Sequence, residues 1–133
     1  MRQILLVEDN ASDVLLIREA LRRCAVPADV VIASDGEEAM MLLDLGQFRS
    51  DLIVLDLNLP KLSGLEMLKA FRNETGIPIS VFTGSDSAAD RKQALELGAR
   101  EYLTKPSDFD DYMSAICGIL KRCWPEEATA AST

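Results

Sequence analysis

The stretch LIVLDLNLP, residues 52–60, puts a carboxylate, Asp56, directly after four apolar residues. Burying a charge costs several kcal/mol unless something compensates it. Three other strand-like runs end in the same manner. ILLV (4–7) is followed by Glu8 and Asp9, IPISVFT (77–83) ends at Thr83, and EYLT (101–104) is followed by Lys105 and Pro106. Three crowded carboxylates would repel and raise one another's pKa. A divalent cation removes that conflict. Mg²⁺ takes one or two carboxylates, a few further oxygens and water, with phosphate oxygens completing its shell. The backbone carbonyl of Asn58, two residues past Asp56, is a candidate oxygen. The cation and the Lys105 ammonium would bring three carboxylates close to neutrality, so an added phosphoryl dianion could be accepted. Taken singly, each group has a plainer reading. Glu8 and Asp9 would cap a helix, Lys105 would be a surface residue, Thr83 would begin a turn and Asp56 would be a solvated loop acid. Four such groups at the ends of four strand-like runs argue for one site.

The elements that must position these groups alternate along the chain. Strands are expected at 4–7, 29–33, 52–56, 77–83 and 101–104. Helical spacing covers 11–24, with Val14, Ile17, Leu21 and Cys24 on one face, then 37–45 ending at Gly46, then 65–73 after a loop with Pro60 and Gly64. A fourth helix, 86–97, has a weak apolar face, and the last, 108–124, carries a broad one. Alternating strands and helices imply an α/β fold with a parallel sheet covered on both faces. The most continuously apolar strands belong at the centre and the others at the edges. That predicts a doubly wound five-stranded sheet, order 2-1-3-4-5, in a flavodoxin-like three-layer sandwich. In such a sheet ligands bind beyond the strand carboxyl ends where the order reverses, here between strands one and three. One domain over 1–124 is expected, with a disordered tail at 125–133.

Composition narrows the chemistry. The 133 residues are 48% hydrophobic and 27% charged, with net charge −8 and no histidine. Histidine general acid–base catalysis, histidine metal ligation and a phosphohistidine carrier role are excluded. The acidic balance argues against direct nucleic-acid binding. No apolar run is long enough to span a bilayer, and the N-terminus is not a secretion signal. A cytoplasmic protein without membrane contact is expected. The cysteines, Cys24, Cys117 and Cys123, are odd in number and include no CxxC, so all three are expected to pack as small apolar side chains in a reducing compartment.

The motifs LLVEDN, LIVLDLNLPKLSG, VFTGS and YLTKP together resemble the receiver domains of two-component response regulators over residues 1 to about 124. The resemblance implies a phosphoacceptor at Asp56 and metal binding by Glu8, Asp9, Asp56 and the Asn58 carbonyl, with Mg²⁺ as cofactor and Mn²⁺ as a substitute. Thr83 and Lys105 would contact the phosphoryl group. It also implies a switch of Thr83 and Tyr102, with the Tyr102 ring turning inward on phosphorylation, and a cis peptide at Lys105-Pro106. The readout surface would be the fourth helix, fifth strand and fifth helix. Phe109 would fill the space that a frequent Phe at position 107 leaves where this chain has Ser107. The bare Gly84 would leave the phosphate pocket open. Asn58 and Ser85 would flank the water path of a slow hydrolysis. The donor would be a histidine kinase or phosphotransfer protein, and VEDN, DLNLP and a lone receiver resemble the regulators paired with bacterial phytochrome kinases. A downstream protein would read the switch.

Such a chain is not an enzyme beyond its own phosphorylation and dephosphorylation. Three rival readings exist. A haloacid-dehalogenase-type phosphohydrolase would need a second acid where Asn58 stands, because that acid shuttles a proton. A flavodoxin would need a first loop friendlier to phosphate than EDNASD. A docking module of the same shape would never take phosphate. In addition, Leu120 and Trp124 on the last helix are candidates for surplus apolar surface at a homodimer.

Overall fold

In a computed structural model of the chain, residues 1–44, 49–59 and 63–126 are described. The expected helix end at Gly46, the loop residue Pro60 and the tail from 127 onward lie outside them. The elements run β1 (Arg2–Val7), α1 (Ala11–Arg23), β2 (Ala28–Ala33), α2 (Gly36–Asp44), β3 (Leu52–Leu55), α3 (Gly64–Thr75), β4 (Ile79–Thr83), α4 (Ala88–Glu96), β5 (Glu101–Thr104) and α5 (Phe109–Cys123). The strands form one parallel sheet in the order β2-β1-β3-β4-β5, as the hydrophobic pattern predicts. β4 starts two residues later than expected because Pro78 has no N–H for the ladder. Its carbonyl still accepts from the Ile53 N–H at 3.0 Å.

The continuous apolar runs are explained by two-sided burial. Along β1, Leu5 and Val7 face a core completed by Ala39, Met67, Leu68, Phe71 and Ala94 from α2, α3 and α4. Ile4 and Leu6 face the other core, with Ile17 and Ala20 of α1 and Ile116, Ile119 and Leu120 of α5. A strand alternates sides with period two, so both sets must be apolar. α4 buries only Ala94, in keeping with its weak stripe. Trp124 and Leu120 are buried in the chain's own core, and the Arg2 guanidinium lies 5.2 Å from the Trp124 ring centre. The surplus apolar surface expected at a homodimer is therefore not present at these two residues.

The cysteines depart from expectation. Cys24 and Cys117 form a disulfide across the seam between α1 and α5, with a Cα separation of 5.4 Å. The two residues are 93 positions apart, so spacing carries no sign of the pair. An odd count does not exclude a bridge either, since one pair and one single thiol also make three. Cys123 alone remains a half-buried thiol, and burial pushes its pKa up.

Candidate functional site

Register places the acids together. Val7 of β1 lies opposite Leu55 of β3, so the next residues, Glu8 and Asp56, emerge side by side. The Asp56 N–H donates to the Val7 carbonyl at 3.1 Å, and the Glu8 N–H to the Ala33 carbonyl at 3.0 Å. The cap of α1 is Asn10, whose side chain accepts from the Asp13 N–H at 3.0 Å. Helix capping thus does not consume Asp9, and Glu8 uses only one oxygen locally, accepting from the Asn10 N–H at 3.1 Å. Glu8 is 1% exposed and Asp56 5%, while Asp9 is exposed. One carboxylate oxygen from each of Glu8, Asp9 and Asp56 lies within 4.8 Å of the others. Three hard oxygens at that spacing, on a rim open at Asp9, fit a small divalent cation that keeps part of its water.

On the far side of the rim, Thr83 and Thr104 are paired at the ends of β4 and β5, and the Lys105 N–H donates to the Thr83 carbonyl at 2.7 Å. This bond directs the Lys105 side chain back across the strand ends. Its Nζ donates to Glu8 Oε2 at 2.7 Å, Asp13 Oδ2 at 2.9 Å and Asp56 Oδ2 at 3.3 Å. Burial lowers the ammonium's affinity for its proton, but the Glu8 and Asp13 hydrogen bonds and the Asp56 charge outweigh it, so the pKa is raised. Burial pushes the Glu8 carboxyl up from 4.5 to about 7; the Lys105 hydrogen bond pulls against it and the Asp56 charge adds to it. Thr83 is fully buried, and its hydroxyl accepts from the Ser85 N–H at 3.5 Å. Asn58 is exposed, and its N–H donates to Asp56 Oδ1 at 3.1 Å.

Several expectations need correction. No cis peptide occurs among the described residues, so Lys105-Pro106 is trans. Trans is the cheaper isomer before proline, and the chain meets the Lys105 contacts without the costlier form. The Tyr102 ring lies inward at 3% exposure, its hydroxyl donating to the Ser85 carbonyl at 2.7 Å. Arg91 of α4 holds it there, with Nη1 on the Tyr102 carbonyl at 3.1 Å and the guanidinium 5.9 Å from the ring centre. The Ser85 hydroxyl donates to Asp90 Oδ2 at 2.7 Å, which ties the loop to α4 and takes that donor from any water path. Phe109 does not fill an inner space: it is 44% exposed and lines a cavity of about 280 Å³ with Asp13, Lys105, Pro106 and Tyr112. A Cβ on Gly84 would have nothing within 4 Å, in line with an open surface there.

Two residues of this network escape the sequence reading. Asp13 joins the lysine, so the rim gathers four carboxylates rather than three, and Glu8, Asp13 and Asp56 contact the ammonium. Tyr112 of α5 donates its hydroxyl to Asp13 Oδ1 at 2.7 Å. Burial and the neighbouring Asp13 hold that phenol well above its usual pKa. The only sequence signal is a polar atom on an otherwise apolar stripe.

Many known proteins are similar to this chain in sequence and fold. The protein is similar to the response regulator Rcp1, solved in a Mn²⁺-bound form, at 34% identity with a TM-score of 0.83, over 91% of this chain and 93% of that one. It is similar to the phosphorylated cyanobacterial phytochrome response regulator RcpA at 37% identity with a TM-score of 0.83, over 90% and 91% of the two chains. The transcriptional regulatory protein CpxR of Escherichia coli is 38% identical over 96% of this chain and 53% of its own length. The chain thus spans about half the length of the curated relatives it matches. No helix among the described residues is long and apolar enough to cross a membrane. The profile of the response regulator receiver domain matches residues 4–117, and the chain belongs to that family of two-component signalling domains.

Proposed function

We propose that this receiver accepts a phosphoryl group on Asp56 from a histidine kinase or phosphotransfer protein. The observation that carries the reading is the shared placement of Glu8, Asp9, Asp56 and Lys105 at adjoining strand ends. Glu8, Asp9 and Asp56, with the Asn58 carbonyl, would hold Mg²⁺ or Mn²⁺. That ion would offset the charge on the phosphoryl oxygens. An Asp56 oxygen attacks phosphorus as the bond to the donor's histidine nitrogen breaks, and that nitrogen leaves with the electron pair. The imidazole comes from the partner, since this chain has none. Lys105 and Thr83 meet the phosphoryl oxygens. With no group at Asn58 or Ser85 able to act as a strong base, hydrolysis is slow, and the chain is no enzyme toward outside substrates. A phospho-form half-life of about a second or less would contradict this.

The switch proceeds through Thr83 to the surface of α4, β5 and α5, where Ser85, Arg91 and Tyr102 are already linked. A downstream protein reads that surface. The single domain 1–124, its cytoplasmic location and the absence of direct nucleic-acid contact by this domain belong to the same proposal. The likeness to the phytochrome response regulator RcpA favours a phytochrome kinase as donor. The test is uptake from acetyl phosphate with Mg²⁺, read by intact-protein mass. Wild type should gain one phosphoryl group and Asp56→Asn none; labelling retained in Asp56→Asn would overturn the assignment. Phosphotransfer profiling against candidate kinases then identifies the donor.

A further inference from the structure

The three N–H donors of the Lys105 ammonium are matched by three acceptors, on Glu8, Asp13 and Asp56. The contacts to Glu8 and Asp13, at 2.7 and 2.9 Å, have the length of charge-assisted bonds, while the contact to Asp56 is the longest at 3.3 Å. Asp13 is itself fixed from two sides. Its backbone N–H donates to the Asn10 cap at 3.0 Å, and its second carboxylate oxygen accepts the Tyr112 hydroxyl at 2.7 Å. The buried Tyr112 ring packs edge-on against Phe82, the residue before Thr83, with centroids 5.1 Å apart. A rigid path therefore leads from the sheet through a phenol and a carboxylate to the ammonium.

An ammonium is tetrahedral, so fixing two of its N–H bonds fixes the direction of the third. We propose that Asp13, held by Tyr112, is a positioning residue for phosphoryl transfer: with Glu8 it anchors Lys105 so that the remaining N–H points at Asp56 and then at the phosphoryl group formed on it. The inference rests on Asp56 as acceptor. During transfer the Asp56 oxygen gains a bond to phosphorus and that carboxylate loses its charge. The bond from phosphorus to the donor breaks, its electron pair leaves with the donor, and the negative oxygens now lie on the phosphoryl group. The third N–H follows the charge over a short distance, while the two anchors stay where they are. Without Asp13, a flexible four-carbon stem is held by Glu8 alone, and orientation must be found during the reaction.

The competing account is that Asp13 and Tyr112 merely join α1 to α5. The two accounts differ in whether Asp13 acts through Lys105. Uptake from acetyl phosphate with Mg²⁺ is to be measured for wild type, Asp13→Asn, Tyr112→Phe, the double variant, Lys105→Ala, and Lys105→Ala with Asp13→Asn. Alongside, ¹⁵N NMR of the lysine ammonium in metal-free protein reads its order directly. We expect Asp13→Asn to slow uptake about tenfold and Tyr112→Phe by less. The double variant should match Asp13→Asn, and Asp13→Asn should change nothing once Lys105 is Ala. The Lys105 ammonium signal should be sharp in wild type and lost in Asp13→Asn. Wild-type uptake in Asp13→Asn, equal slowing with and without Lys105, or a retained ammonium signal would each overturn the proposal. If wild type itself takes up no phosphoryl group, the Asp56 reading fails, and the ammonium signal still decides whether Asp13 orders Lys105.

Discussion

Glu8 is a carboxylate in surroundings that disfavour its charge, and the pairing with Lys105 only partly offsets this. Its carboxyl titrates at about 7 in the folded chain against an ordinary 4.5, chiefly through burial. Between those values the folded protein binds more protons than the unfolded one, so stability falls as pH rises through that window. Below about 4.5 the full contribution of the neutral acid is present, and above about 7 it is gone. Metal-free wild type should therefore lose on the order of 2 to 3 kcal/mol between pH 4.5 and 7.5 from this group. Glu8→Gln, a neutral isostere, should flatten that slope in denaturant titrations run across the range. Added Mg²⁺ should oppose the loss at pH 7.5, because it stabilises the ionised form. A slope unchanged by Glu8→Gln would assign the titration to another group.

At the scale of elements, the Asp56 loop is set by the helix that follows it. The Gly64 N–H, at the start of α3, donates to the Leu57 carbonyl at 3.1 Å. A Cβ on Gly64 would lie 2.3 Å from the Leu57 Cα and 2.8 Å from its carbonyl oxygen, so backbone would have to move. Gly64→Ala should cost roughly 1 to 3 kcal/mol and slow phosphoryl uptake by displacing Asp56. Gly84→Ala, with open space at its Cβ, should barely move the denaturation midpoint. Equal midpoints for the two variants would remove the argument for close packing on Leu57. Such closeness is invisible in the sequence, whereas the strand order is legible, because two-sided burial writes itself as ILLV, LIVL and ISVF. Glu8, Asp56 and Lys105 are legible for a related reason: each stands one residue past a strand. Asp13 and Tyr112 are 99 residues apart and meet only through the α1–α5 seam. Each has a sufficient local explanation, as an acid in a first helical turn and as a member of an apolar stripe. The resemblance implies a cis peptide at Lys105-Pro106, and proline is where one is cheapest, yet trans is still the favoured isomer and is the one found.

Over the whole molecule, the α1–α5 layer is closed at two places. At the rim, Tyr112 and Lys105 meet Asp13 near the start of α1; at the other end of that helix, the Cys24 cap is bonded to Cys117. The bridge spans 93 positions of chain. In the chain-entropy account, closing a loop of that size removes freedom from the unfolded state worth about 4 to 5 kcal/mol. That is a large share of the roughly 5 to 15 kcal/mol that holds an ordinary domain folded. Cys24→Ser, or wild type under a dithiol reductant, should therefore unfold at lower denaturant. Its transition should also be steeper in denaturant, because an unbridged unfolded chain exposes more surface. Phosphoryl uptake under native conditions should be unchanged, since the acids and Lys105 are held by β1, β3 and β5 and by the first turn of α1 rather than its last. Slower uptake in Cys24→Ser, with a midpoint still well above the assay conditions, would mean that the seam transmits strain to the rim. An unshifted midpoint under reductant would mean that the thiols are not joined in solution.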